Sequence, residues 1–121
     1  MIGYPKTRPK KKRQRHKPSI LQRKEDRHRC YICMHLKDDF SKKYVEEHHI
    51  FGGPLRSISE AEGFKVYLCP EHHRTGPDAV HKNAMMSKAL KAAAQYEFEK
   101  THTRRDFMAL IHKNYLVEDE Q

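Results

Sequence analysis

The sequence predicts an α+β fold: a small zinc-stapled core, two C-terminal helices, and a disordered basic tail in front of both. Three observations predict it. Cys30-x2-Cys33 and Cys69-x2-His72 have the spacing of two halves of one tetrahedral metal site. Residues 43–51 and 64–68, which lie between those halves, are rich in β-formers. From about residue 77 onward, apolar residues recur at helical spacing instead.

The tail comes first. Residues 1–24 carry Lys10, Lys11, Lys12, Arg13 and Arg15 among three prolines, with almost nothing to bury. Self-repelling charge without apolar content predicts disorder, and such an arm suits phosphate contacts that add affinity without reading sequence. A merely solubilising tail is the bland alternative. The whole chain of 121 residues has a formal net charge of +9, which favours a polyanionic partner. Hydrophobic residues make up only 36 % and there is no Trp, so the remaining domain, residues 25–121, has a thin core that gains from a metal staple. No apolar run approaches the ~20 residues of a membrane span, and no apolar segment follows the basic start as in a secretory leader. With three cysteines, an odd number for disulfides, metal ligation in a reducing, cytoplasmic setting is expected.

Cys30-x2-Cys33 is then the first knuckle, and Cys69-x2-His72 closes it as Cys3His. A closed ligand set reads as structural zinc, and buried reduced cysteines are the alternative. Residues 43–51 form the first strand, with a Gly-Gly-Pro turn at its end. Ser59-Glu60-Ala61-Glu62 has the pattern of a capping box, and Gly63 ends that brief helical turn. Residues 64–68 form the second strand, and Pro70 suits an early helical position. A long helix is expected over about 77–100, burying Met86, Leu90, Ala93, Ala94 and Phe98. Thr103 to Asp106 resembles a cap opening a last helix with Phe107, Leu110, Ile111 and Tyr115 on one side. The core thus spans about 28–83, with a helical extension over 77–117.

Two histidine pairs sit inside this frame. Neighbours on a strand point to opposite faces, so His48 and His49 should do different jobs, such as metal ligand and general base. Neighbours on a helical turn also diverge, so if His72 closes the zinc site, His73 is left to face the hairpin. His81, expected in the first turns of the long helix, would complete a site of His48, His73 and His81 with open positions. An exposed surface histidine is the competing reading of His81. Arg56, after the Gly-Gly-Pro turn, is a candidate phosphate contact or simply an exposed loop arginine.

Cys30-x2-Cys33, His48-His49-Ile50 and Leu68-Cys69-x2-His72-His73, in that order, resemble the HNH endonucleases, with their ββα-metal core and structural zinc. The likeness extends in particular to small phage and prophage proteins of the recombination-enhancement type. It implies that His48 and His73 bind a catalytic ion and that His49 is the base that deprotonates the attacking water. It implies hydrolysis of DNA phosphodiester bonds, by nicking or with weak sequence specificity. The ion would be Mg2+, Mn2+, Zn2+, Ni2+ or Co2+. Two features depart from the family: its central Asn has no counterpart before Leu68, where Phe64 and Lys65 stand, and the second knuckle is Cys-x2-His. A non-catalytic zinc-stapled nucleic-acid-binding protein, ribosome-associated or architectural, is the alternative from another class.

Overall fold

In the computed structural model, residues 16–116 are described; the proposed phosphate contacts Lys10, Lys11, Lys12, Arg13 and Arg15 lie outside them. Helix α1 (Tyr31–Lys37) follows the first knuckle, strand β1 (Glu46–His49) comes next, and a 3-10 turn over Gly53–Leu55 leads into helix α2 (Arg56–Glu62). Strand β2 (Lys65–Leu68) returns antiparallel to β1, and a π-helical turn, Glu71–Thr75, carries the second knuckle. Helices α3 (Ala84–Phe98) and α4 (Arg104–Ile111) complete the fold. This is a mixed α and β architecture around a two-stranded sheet, as the sequence predicts at that level.

The register does most of the placing. His48 pairs with Val66 and His49 with Lys65, and paired residues share a face of an antiparallel sheet. Glu46, His48, Val66 and Leu68 therefore share one face, while Glu47, His49, Lys65 and Tyr67 share the other. Beyond the strand ends, Phe51, Phe64, Phe98 and Phe107 pack edge to face or tilted, with ring centroids 5.3 to 6.0 Å apart. That cluster anchors α3 and α4 to the core, together with buried Leu90, Ala94 and Ile111. Phe107 and Ile111 are buried on α4 as expected, and Thr103 and Asp106 form the anticipated capping box.

Three local expectations change. The long helix starts at Ala84 rather than 77, because residues 76–83 are held as successive turns by Ala79 N–H to Gly76 O and Lys82 N–H to Ala79 O. Asn83 then caps α3, its side-chain oxygen accepting from Met85 and Met86 N–H at 3.0 and 3.1 Å. Residues 16–22, assigned by sequence to the tail, pack along the core. Ile20 N–H donates to Gly63 O at 3.0 Å, and the Gln22 side-chain oxygen accepts from Tyr67 N–H at 2.7 Å. Gly63, at φ +80°, must be glycine twice over, since a Cβ would also collide with the Pro18 carbonyl oxygen.

Ser59 is the third change. It lies within α2 rather than capping it, fully buried, and its hydroxyl donates to Phe51 O at 2.8 Å while accepting from Phe51 N–H at 2.9 Å. One hydroxyl thus satisfies both backbone groups of a buried residue just beyond β1. Ser59→Ala would strand both, so we expect a loss of about 2 kcal/mol, read as a lower denaturant midpoint of the zinc-loaded protein with unchanged slope.

Candidate metal centres and the adjoining cleft

Cys30, Cys33, Cys69 and His72 converge from α1 and the π turn, all buried, with the cysteines unpaired as thiols. The Cys30 sulfur also accepts from Cys33 N–H at 3.4 Å, capping α1, so the knuckle and the helix start are one structure. His72 Nδ1 lies 3.5, 3.4 and 3.4 Å from the sulfurs of Cys30, Cys33 and Cys69, and Cys33 Sγ is 3.9 Å from Cys69 Sγ. A tetrahedral zinc with ordinary bond lengths sets edges of ~3.6 Å for S–N and ~3.8 Å for S–S pairs. These four separations match the edges of such a polyhedron. Burial pushes the Cys30 thiol up to about 12, so an anionic sulfur here needs a cation beside it. Lys43 Nζ lies 3.4 Å from Cys33 Sγ and can offset the surplus charge of three thiolates around one divalent ion. The buried Cys3His group can hold a metal ion such as zinc.

The adjacent residue, His73, projects from the same turn toward a separate group, as neighbours on a helical turn diverge. His73 meets His48 from β1 and His81, whose ring nitrogens form a second compact group. Ring centroids of His48 lie 5.2 Å from both partners, and His73 Nε2 is 3.2 Å from His81 Nε2. That spacing is close to the ~3.3 Å edge of an imidazole-ligated tetrahedral ion. His81 lies in the turns before α3, not in the helix, where His81 N–H bonds to His73 O. His73 Nδ1–H donates to Glu46 Oε1 at 2.6 Å, which leaves its Nε2 lone pair facing His81. Glu46 is in turn held by Arg74 at 2.5 Å, and its carboxyl sits below the usual range chiefly because of the His73 bond. Burial, reinforced by the neighbouring imidazoles, lowers His48 from 6.5 to about 3, so its ring is neutral and can ligate at neutral pH. Burial likewise lowers His81. His48 is buried while His81 is exposed, so this group is open on one side, unlike the Cys3His group.

His49 stands apart from both groups. It points to the opposite sheet face, where Nε2–H donates to Glu60 Oε1 at 2.5 Å. Glu60 Oε2 accepts from the nearly buried Lys65 Nζ at 2.8 Å and pairs with His16 Nδ1 at 2.8 Å. The Lys65 bond is the main reason the Glu60 carboxyl lies at about 2. An open cleft of about 960 Å³ is lined by His49, Arg56, Glu47, Glu60 and His16, among others. Arg56 is exposed at the start of α2 and makes no ion pair among the described residues.

The chain matches no family model, no curated protein and no solved structure.

The predicted residues thus divide in three. Cys30, Cys33, Cys69 and His72 form one group; His48, His73 and His81 form another; His49 and Arg56 line one cleft. Sequence reading missed Glu46, Glu60 and Lys65. The first had a signal, since it stands two residues before His48 and must share its face. Glu60 carried none, because its partners come from β1, β2 and residue 16. No helix of the described residues is long and apolar enough to cross a membrane.

Proposed function

We propose that the protein is a metal-dependent, HNH-like endonuclease that hydrolyses DNA phosphodiester bonds, nicking or with weak sequence specificity. The observation that carries this reading is the open group of His48, His73 and His81 on one face of β1, with His49 in a cleft on the other. His48 and His49 are adjacent, so their Cα atoms are ~3.8 Å apart. A divalent ion held by the three imidazoles would supply Lewis-acid stabilisation of charge developing on the phosphate. Three nitrogen ligands favour Mn2+, Zn2+, Ni2+ or Co2+ over Mg2+, which prefers oxygen. His49 takes the proton of the attacking water, and Arg56 contacts the phosphate through charge-assisted bonds. A zinc held by Cys30, Cys33, Cys69 and His72 would staple together the two halves that carry these residues. His16 lines the same cleft as His49 and Arg56. The net charge of +9 supports nucleic acid as partner, with Lys10, Lys11, Lys12, Arg13 and Arg15 as the residues that would contact phosphates.

The test is cleavage of supercoiled plasmid by purified protein across a series of divalent metals, with His49→Ala alongside. Metal-dependent conversion to nicked circles is expected of the wild type, with a drop of about a hundredfold or more in the variant. Equal activity in both preparations would remove His49 as the base. DNA binding without cleavage under every metal would replace the nuclease by the zinc-stapled binding protein.

A further inference from the structure

The cluster of Glu47, His49 and Glu60 is the third set of side chains whose ligand atoms converge. It is not a cation site, because a cation of the chain is already there. Lys65 Nζ, on a residue only 4 % exposed, lies 2.8 Å from Glu60 Oε2 and 3.4 Å from Glu47 Oε2. What the cluster does instead follows from how Glu60 spends its two oxygens. Oε2 is engaged by Lys65 and His16, and Oε1 is left to His49 Nε2. Glu60 comes from α2, whose position is set by Ser59 and its two bonds to Phe51. The carboxylate is therefore fixed from three sides before the imidazole meets it.

We propose that Glu60 is the positioning residue of a His49–Glu60 dyad, holding the ring with Nε2–H on the carboxylate so that Nδ1 is the basic nitrogen. A carboxylate accepts only, so the ring nitrogen facing it must carry the proton, and the other nitrogen must carry the lone pair. This rests on the nuclease reading above for its catalytic meaning. In the step, water oxygen bonds to phosphorus, its proton passes to His49 Nδ1, and the phosphorus bond to the leaving oxygen breaks. The leaving oxygen takes a proton from solvent. Glu60 receives no proton, because Lys65 holds it as the anion, and it stabilises the imidazolium that forms.

Two readouts test this. Long-range 1H–15N correlation spectra at about pH 8 report the tautomer of His49 without any reaction, and wild type is expected as Nε2–H. Kinetics on plasmid are expected to show kcat lowered about a hundredfold in Glu60→Gln with KM nearly unchanged, because the residue acts on the proton transfer and not on substrate affinity. Glu60→Asp, which keeps a carboxylate, should recover part of that loss. Since Glu60→Gln leaves Lys65 short of a partner, the Glu60→Gln/Lys65→Met pair, which removes both charges, is run beside it and should show the same kcat loss. An Nδ1–H tautomer in wild type overturns the dyad. So does an unchanged kcat in the folded variants of a wild type that cleaves. Absence of cleavage in wild type, with Nε2–H observed, overturns the nuclease reading and the dyad's catalytic role with it.

Discussion

Cys69→Ser is expected to abolish tight zinc binding and to unfold the domain at ordinary temperatures. Cys69 links the end of β2 to the π turn, and its sulfur faces both Cys33 and His72. An ion held there would tie α1 to the sheet and to the segment that carries His73. Structural zinc contributes about 10–16 kcal/mol of apparent binding energy at pH 7, and because no preformed site exists in the unfolded chain, this is folding energy. Net stability of a small domain is only about 5–15 kcal/mol. Losing the ion therefore removes as much as the fold has. Without it, three buried sulfurs and a buried imidazole stay behind as poorly satisfied polar groups. The check is zinc stoichiometry together with thermal unfolding followed by circular dichroism, before and after a strong chelator. Wild type should hold one tight zinc and melt cooperatively. Both the chelated protein and Cys69→Ser should show no cooperative transition. A chelated protein with the same melting temperature would mean that the phenylalanine cluster alone sustains the fold.

Residues whose partners are near in sequence, or whose chemistry allows few roles, were legible without the structure. Cys30, Cys33, Cys69 and His72 fall in that class, because their intervals are those of two halves of one metal site, and the four side chains do converge. Strand alternation was enough to separate His48 from His49. The rest depended on contacts that no local pattern contains. Ser59 reads as a helix cap because serine, glutamate and glycine stand at capping intervals, yet its hydroxyl is claimed by Phe51 across the hairpin. Tertiary hydrogen bonding overrode local chemistry there. Glu60 became a partner of His49 only through the docking of α2 on the sheet. The sequence alone places the start of α3 too early because helical spacing continues upstream of Ala84. What ends it is the cap by Asn83 and the run of turns before it, which bring His81 back to His73.

His48→Gln is expected to remove a second, exchangeable ion while leaving the tight zinc in place, and to end metal-dependent cleavage. His48 is the buried member of its group, and His73 and His81 approach it from the π turn and the turns after it. Two imidazoles, one of them exposed, are a weak site for a divalent ion, so the loss should exceed a hundredfold in affinity. Titration of the zinc-loaded protein with Mn2+ or Co2+ measures this directly, and unchanged affinity in the variant would dissolve the three-histidine site. The same substitution has a signature in the absence of the second ion. Burial holds the folded His48 at about 3, whereas in the unfolded chain it titrates near 6.5. Between those values the unfolded state binds the extra proton, so stability rises with pH across that window and is lost as pH falls from about 6.5 toward 3. His48→Gln deletes that contribution. From about pH 7 to 5.5, wild type should therefore lose more stability than the variant, each loaded with zinc so that the acid lability of the Cys3His site cancels. Loading wild type with the second ion should steepen the difference, since protons and metal then compete for the same nitrogen.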